Sequence, residues 1–327
     1  MESTHLKVIS SPPSLIKSLM AGFDVVSNHI GLIIFSVLFD LLLWFGPQIR
    51  LTTAFKPLIE QAESFPEMQS EGTLDMLRQG LTQLNMLSLL RTFPIGIPSL
   101  LARRAPIETP IYLPVDWDVR SLLDAALLWL GIALVGIAVG VFYFSLVAQA
   151  SVNGRLNFVQ TLRNWPRNFG QVLLLTLFWN ILLAMFLLPF SCMMTFLFLL
   201  GIGLGQFSLV VAILFGGLAV WLLVPLFFSP HGIFAYQRSM WESILQGVRL
   251  SRATFTTTTL LILAIVVLSQ GLDILWNIPQ DNSWLLLVGI TGHAFVTAAL
   301  LAGTFVYYHD ADRWLREIIR KKELVQA

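Results

Sequence analysis

Charged side chains are missing from a long stretch of this chain. Between Arg167 and Arg238 there is no Asp, Glu, Lys or Arg. A soluble fold would have to expose the outer surface of such a segment to water, so the gap excludes a soluble globular protein. Over the whole chain 12% of residues are charged and 56% are hydrophobic, which is the composition of a polytopic membrane protein.

Other absences exclude whole classes of function. The single cysteine, Cys192, excludes an intramolecular disulfide and a cysteine-based metal cluster. A net charge of +1 offers nothing to recruit nucleic acid. GxSxG, HExxH and Walker motifs are lacking, so we predict no catalytic residue, cofactor or metal site. Gly201, Gly203 and Gly205 spell GxGxG, but in an apolar turn that no strand precedes, so we reject a dinucleotide site.

Six apolar segments are long enough to cross a bilayer as helices, which takes about 20 residues each. We therefore predict an all-α integral membrane protein with one polytopic domain over residues 1–327. The predicted spans cover 30–49, 122–148, 169–190, 207–228, 256–275 and 284–308.

One connection is much longer than the rest. Residues 50–120 separate the first two spans and hold the densest group of acidic residues, so we predict one extracytoplasmic loop there. Leu74, Leu77, Leu81 and Leu84 recur at helical spacing, which predicts an amphipathic helix lying on the membrane surface or on the bundle.

The distribution of Lys and Arg predicts the orientation. With the N-terminus inside, 13 of the 20 basic residues face the cytoplasm, and the other seven lie in or beside the long loop. Short outer turns carry no basic residue, so the positive-inside rule places both termini in the cytoplasm of a bacterial-type inner (plasma) membrane.

The approaches to the odd-numbered spans resemble one another. When Phe255, Phe169 and Ile30 are aligned, apolar residues match at seven and eleven positions upstream. We predict three repeats, each an interfacial amphipathic helix followed by a membrane hairpin. The alternative is that any loop entering a membrane carries Trp and Arg.

The cytoplasmic side is rich in arginine and tryptophan, which suits helices lying among lipid headgroups. We expect the basic tail, residues 309–327, to contact anionic lipid; docking of a soluble protein is the alternative for the tail. The candidate headgroup contacts are Arg163, Arg167, Arg249, Arg252, Trp165, Trp241, Arg316, Arg320, Lys321 and Lys322.

Two stretches carry a resemblance to a known group. FAYQRSMWESILQGVRLSRATF is an amphipathic helix with Arg-x-Ser-Arg before a membrane helix, and VYYHDADRW follows the last span. The layout resembles the six-helix membrane domain fused to some bacterial glycerophosphodiester phosphodiesterases, and its stand-alone relatives. The resemblance covers about a quarter of the chain and implies a six-helix membrane fold. It implies no activity, since no soluble hydrolase is attached.

Three polar residues fall at mid-depth in the predicted spans: Asp40, Asn180 and His293. Polar groups inside a membrane are costly and mark functional sites by default. A cluster of the three would relay a proton or bind a polar headgroup. The alternative is interhelical hydrogen bonding, which stabilises a bundle by roughly 0.6 kcal/mol per pair and needs no ligand. Similarly, we read Gly136 and Gly140 as a close helix-packing pair.

The function that fits these patterns is a non-enzymatic membrane scaffold or accessory subunit that organises lipid, a protein partner or a second copy of the chain. The observation behind it is an abundance of interfacial helices without a catalytic motif. Transport of a small or lipid-like substrate through the mid-membrane polar residues is the alternative, which Asp40, Asn180, His293 and the Pro189 break support.

Overall fold

The computed structural model describes residues 12–63, 73–104, 106, 108–112, 114–199 and 206–326. Within them, five helices are long and apolar enough to cross a membrane, or six if one bent pair counts as a single span. The predicted all-α class is therefore confirmed, and the number of long apolar helices fits a multi-pass membrane protein. The segment Gly201–Gly205 with its GxGxG pattern lies outside the described residues.

The chain is almost entirely helical. Twelve α-helices and two short strands make up its regular elements, apart from a few 3₁₀ turns, in the described part. The helices are α1 (Leu15–Asn28), α2 (Ile34–Phe45), α3 (Thr52–Glu63), α4 (Thr73–Gln83), α5 (Leu101–Arg104), α6 (Leu122–Asn153), α7 (Phe158–Leu199), α8 (Gln206–Leu223), α9 (His231–Tyr236), α10 (Met240–Ala253), α11 (Phe255–Trp276) and α12 (Leu286–Gln326), and the strands are β1 (Gln48–Arg50) and β2 (Asp116–Asp118).

Contacts divide the chain into two units. Unit 1 contains residues 1–22, 148–265 and 302–327, and unit 2 contains residues 23–147 and 266–301. The long helices α6, α11 and α12 contribute residues to both units.

The first predicted span, 30–49, corresponds to a 3₁₀ turn and helix α2, which ends at Phe45, and α1 precedes it as the other half of a bent pair. The amphipathic α1 meets the apolar α2 at 93°, with a 3₁₀ turn at Ile30–Ile33 between them. The sequence changes from mixed to continuously apolar at Ile30, which is the change expected between an interfacial helix and a membrane helix. Helix α2 ends at Phe45, before Gly46 and Pro47, because proline disfavours a helical residue in front of it.

The predicted break between interfacial and membrane helix is present in two of the three places. Thr254 separates α10 from α11, much as the 3₁₀ turn separates α1 from α2. Helix α7, in contrast, continues through Pro166 and Pro189 for 42 residues without interruption. The threefold repeat therefore stays a prediction. Two of the three approaches to the predicted membrane helices have the break, and the approach within α7 does not.

Unit 1 has an aromatic core where α9, α10 and the second half of α12 meet. Phe228, Tyr307 and Tyr308 are fully buried, and the Phe228 and Tyr307 rings stack 5.7 Å apart. Gly247 of α10 allows this packing, because a Cβ there would lie 3.1 Å from the backbone of Phe228. Ser239 begins α10 with a capping box: it accepts from the Glu242 amide, and Glu242 accepts from the Ser239 amide.

Unit 2 holds most of the long connection between α2 and α6. Strands β1 and β2 pair in parallel, with Ile49 opposite Trp117. Asp118 accepts hydrogen bonds from the Thr53 amide and from the hydroxyls of Thr52 and Thr53, so it caps α3. Partial burial opposes the charged form, but the Thr52 and Thr53 hydroxyls outweigh it and lower the pKa of Asp118.

The helix expected from the leucine spacing is α4, which runs from Thr73 to Gln83 and packs on α3. Its predicted position beside the membrane or the bundle is not decided by these contacts. The rest of the connection, from Met86 to Arg104, turns back and packs among the helices of unit 2.

Candidate functional site

The segment 91–104 is the unusual element of unit 2, because it is an irregular chain packed against membrane-length helices. Ile95, Ile97, Leu100 and Leu101 are at most 7% exposed. The Phe93–Pro94 peptide bond is cis, and the short helix α5 closes the segment. Non-helical backbone at membrane depth is tolerated only where protein or a water-filled cavity covers it. We call residues 91–104 the fold-back segment.

Two glycines of α6 make room for this segment and the residues just before it. A Cβ on Gly136 would lie 2.5 Å from the carbonyl oxygen of Leu90, and a Cβ on Gly140 would lie 3.3 Å from that of Ile95. Gly131, one turn earlier on α6, has open space around it. The small-residue pair predicted to pack two helices together thus receives a non-helical chain instead.

Asp40 fastens the fold-back segment to α2. Its Oδ1 accepts from the Ser99 hydroxyl at 2.5 Å and from the Leu101 amide at 3.0 Å, while Oδ2 accepts from the Leu100 amide at 3.1 Å. The side chain is completely buried. Both oxygens are therefore occupied, and the carboxylate acts as a cap for the first turn of α5.

Arg104 holds the other end of the fold-back segment against the turn between α11 and α12. Its guanidinium donates to the carbonyl oxygens of Asn277 at 3.2 Å and Pro279 at 2.7 Å, and it pairs with Asp281 at 2.5 Å. Trp44 donates to the Asp281 carbonyl oxygen at 2.8 Å. These contacts place the end of α2, the α11–α12 turn and α5 at the same end of unit 2.

Arg103 and His293 meet at Asp273, below that turn. Arg103 donates to Gln270 Oε1 at 3.1 Å and lies 3.9 Å from Asp273 Oδ2. His293 Nδ1 lies 3.6 Å from Asp273 Oδ1. His293 is 4% exposed, and neither of its ring nitrogens has a hydrogen-bond partner within the described residues. A buried imidazole without such partners is a costly feature, so it calls for an explanation.

Arg91, at the start of the fold-back segment, adds a second cation to this region. It keeps an exposed surface and donates to the Ser99 carbonyl oxygen at 3.4 Å. Loss of solvation, and then the positive charge of Arg103, lower the pKa of Arg91. Arg91 and Arg103 are exposed and lie close enough for their charges to interact, and with the buried His293 they form what we call the basic cluster of unit 2.

The predicted mid-membrane residues have different surroundings. Asp40 and His293 both belong to unit 2, and the charge of Arg91 acts on both. Asn180 belongs to unit 1, where its exposed side chain donates to the Thr176 carbonyl oxygen one turn earlier on α7. A cluster of all three stays a prediction.

Sequence reasoning missed Ser99, Arg91, Arg103 and Asp273. Asp273 had a usable signal, since it is an acidic residue inside a predicted span, between 256 and 275. The other three lie in a stretch broken by prolines, where no periodicity indicates burial.

The predicted headgroup contacts all belong to unit 1. Arg163, Arg249, Arg252 and Arg320 are exposed, and Trp241 is 61% exposed. Two others have protein partners: Arg167 donates to the Gln237 carbonyl oxygen, and Arg316 pairs with Asp312. Trp165 is half-buried and stacks on Phe169, Lys321 is half-buried, and the side chain of Lys322 lies outside the described residues.

Unit 1 also contains buried polar groups with well-defined partners. Asp312 is fully buried and receives Arg316 at 2.6 Å, Gln246 at 2.8 Å and Arg238 at 3.5 Å. His231 begins α9, and its Nε2 lies 2.8 Å from the Thr304 hydroxyl. This network joins α10, α12 and the residues before α10, and it reads as structural.

No protein-family model matches the chain, and no curated protein and no solved structure is similar to it. The resemblance to the membrane domain of glycerophosphodiester phosphodiesterases is therefore untested and stays a prediction. Among the described residues, no group of three or more His, Cys, Asp or Glu side chains is placed to hold a metal ion.

A groove of about 420 Å³ lies between α3 and α4 of unit 2. Its charged residues are already paired with one another: Lys56 lies 3.9 Å from Glu60, and Arg78 contacts Glu63. The lining therefore offers no uncompensated charge that would select a ligand. The basic cluster is the stronger candidate site.

Proposed function

We propose that this protein is a non-enzymatic membrane scaffold whose unit 1 holds anionic lipid at one face. The observation that supports it most is a set of exposed arginines on α10 and at the start of α7, both in unit 1. Arg163 lies on α7, and Arg249 and Arg252 lie on α10; all three are exposed beside apolar side chains such as Leu162 and Trp241.

The build of α10 matches a helix lying in a headgroup layer. Ile244, Gly247 and Leu250 are buried in unit 1, so one face is committed to the protein. Trp241 and Leu245 are 61% and 55% exposed, and Arg249 and Arg252 follow them along the helix. An exposed apolar and basic face is the arrangement that binds acyl chains and phosphates together.

The low burial of helices α7, α8 and α11 is a second observation that supports the scaffold proposal. Only 17%, 12% and 11% of their most apolar stretches are buried inside the chain, whereas 56% of the most apolar stretch of α12 is buried. Such helices rely on lipid or on another protein to cover them. A protein partner and a second copy of the chain are both outcomes of the test below.

The test is lipid retention by native mass spectrometry from nanodiscs containing phosphatidylglycerol and phosphatidylcholine. Each basic side chain near an anionic surface contributes about 1 kcal/mol, so a triple Arg163→Gln, Arg249→Gln, Arg252→Gln variant should lose at least about tenfold in preference for phosphatidylglycerol. Arg167 is left unchanged because its bond to Gln237 is structural.

The matched control removes three positive charges from unit 2: Lys56→Gln, Arg78→Gln and Arg120→Gln. This variant has the same net charge and should retain phosphatidylglycerol as the natural chain does. Equal retention by both variants, or no lipid preference in the natural chain, would contradict the proposal. The same spectra report whether a second copy is present.

Transport of a small or lipid-like substrate is the second candidate, and the unpartnered His293 under the fold-back segment favours it. Asp40→Asn and His293→Ala variants would then lower substrate flux in reconstituted vesicles. Folded variants with unchanged flux for phosphate-containing and other small solutes would end this candidate.

A further inference from the structure

The basic cluster of unit 2 has more hydrogen-bond donors than acceptors. Each guanidinium carries five N–H donors. Arg91 uses one of them, in a 3.4 Å bond to Ser99, and no carboxylate of the described residues lies within 4.0 Å of it. Arg103 has Gln270 and a distant Asp273 as partners. The excess of donors is what an anion would satisfy.

The nearby carboxylates do not remove this excess. Asp40 is occupied by the Ser99 hydroxyl and two backbone amides. Asp273 alone faces Arg103 at 3.9 Å and His293 at 3.6 Å, and both distances exceed those of a charge-assisted hydrogen bond. Asp273, which makes no short contact with either neighbour, is therefore the one carboxylate left to interact with two guanidinium groups and an imidazole.

His293 gives the independent observation. Its side chain is only 4% exposed, and both ring nitrogens lack a hydrogen-bond partner within the described residues. With Nδ1–H turned toward Asp273, Nε2 of the neutral ring is an acceptor without a partner in the described residues, and a hydroxyl of a bound group would satisfy it. A buried nitrogen of this kind is expected to serve a ligand or an ordered water.

The polar groups of the cluster, two guanidinium donors and one imidazole acceptor, come from three elements, and this spread decides the kind of anion. Arg91 precedes the irregular part of the fold-back segment, Arg103 lies on α5, and His293 lies on α12. A carboxylate has two oxygens in one plane, whereas a phosphate group presents oxygens in several directions. Arginine is the side chain best suited to phosphate because its fork donates two parallel hydrogen bonds.

We propose that Arg91, Arg103 and His293 form a binding site for a phosphate group in unit 2. Asp273 orients His293 and offsets Arg103 in the absence of a ligand. The fold-back segment forms the site by carrying both arginines on one short stretch of chain. This proposal is independent of the lipid surface of unit 1, since it uses none of the same residues.

The phosphate group belongs either to a free solute or to a lipid headgroup, and two measurements separate them. The first is calorimetric titration of the detergent-purified protein with inorganic phosphate, at fixed pH and with chloride as the reference anion. The second is native mass spectrometry of phosphatidylglycerol retained from nanodiscs by the unit 1 triple variant, in which the proposed lipid contacts of unit 1 have been removed. Phosphate binding without selective lipid retention by the site indicates a solute, and the reverse indicates a headgroup.

Arg91→Gln removes a charge-assisted bidentate donor. It should weaken phosphate binding or phosphatidylglycerol retention, whichever the site performs, at least about tenfold. Arg91→Lys keeps the charge but not the fork, so an intermediate loss is expected. Arg120→Gln is the matched control: it makes the same change at an exposed position of unit 2, and its affinity should stay unchanged.

His293→Gln is the second test, because it keeps a polar side chain and leaves both arginines in place. It should also weaken binding, and thermal unfolding confirms that each variant is folded. The proposal would be overturned if the natural chain did not bind phosphate and the unit 1 triple variant retained no phosphatidylglycerol selectively. Equal losses in Arg91→Gln and Arg120→Gln, or unchanged affinity in folded Arg91→Gln and His293→Gln, would also overturn it. Loss of lipid retention in the unit 1 triple variant alone tests the scaffold proposal and leaves this one standing.

Discussion

Asp40→Ala is the substitution that should release the fold-back segment. The natural carboxylate accepts from the Ser99 hydroxyl and from the amides of Leu100 and Leu101, and all of these groups are buried. Alanine removes every one of these acceptors without replacing them. The two backbone amides then have no partner at their present positions.

A buried donor left unsatisfied costs about 1–3 kcal/mol. Two amides and a hydroxyl are affected, and water entering the opened segment recovers part of the loss, so we expect a local destabilisation of about 3 kcal/mol. Since 1.4 kcal/mol corresponds to about a factor of ten, the open population of the segment should rise about 100-fold.

Trypsin cleavage after Arg103 and Arg104 measures that open population, provided that the segment recloses faster than it is cut. Cleavage at Arg78, on the outer helix α4, serves as the internal reference and should not change. Asp24→Asn, an exposed carboxylate of unit 2, is the control variant and should cleave as the natural chain does. Unchanged cleavage after Arg103 in a folded Asp40→Ala protein would refute the fastening role of Asp40.

Three further substitutions test other parts of the account. Gly136→Ala should destabilise the protein by about 1–3 kcal/mol because its Cβ would meet the Leu90 carbonyl oxygen at 2.5 Å, whereas Gly131→Ala on the same helix should be neutral or stabilising in thermal unfolding. Arg104→Lys should speed amide exchange in the α11–α12 turn, because lysine lacks the guanidinium that donates to the carbonyl oxygens of Asn277 and Pro279. Unchanged exchange would contradict this role of Arg104. The Ser239 amide lowers the pKa of Glu242, so the capping contribution is present above the pKa of an unfolded glutamate and is lost as pH falls through the lower folded value. Amide exchange of α10 should therefore accelerate at acidic pH in the natural chain, and Glu242→Gln should show no such step.

The membrane helices were predictable because the length of an apolar run is a direct consequence of bilayer thickness. Helix α11 was predicted at 256–275 and runs from Phe255 to Trp276. The leucine spacing likewise located α4, since helical periodicity is a local property.

The fold-back segment was not predictable in the same way. Its sequence around Ile95 and Ile97 is short, interrupted by Pro94 and Pro98, and resembles a solvated loop. What buries it is tertiary: a carboxylate on α2 and two glycines on α6 that are distant in the sequence. Neither periodicity nor composition records such pairings.

Some residues of the candidate site could be predicted from the sequence, and others depend on tertiary contacts. Asp40 and His293 were found because an ionisable residue in a predicted span is conspicuous. Asp273 carried the same signal and was overlooked, whereas Ser99 becomes a partner of Asp40 only through the fold of the connection, which the sequence alone does not show. Asn180 shows the converse, because its amide donates to the backbone of its own helix and needs no distant partner.

Amide hydrogen exchange of the natural chain in lipid nanodiscs tests the central claim, that the fold-back segment is packed inside unit 2, most directly. The amides of Leu100, Leu101 and Ala102 donate to Asp40 and Ser99 in the structure. They should exchange as slowly as the buried middle of α6, over hours rather than seconds. Exchange as fast as that of a solvated loop would contradict the account.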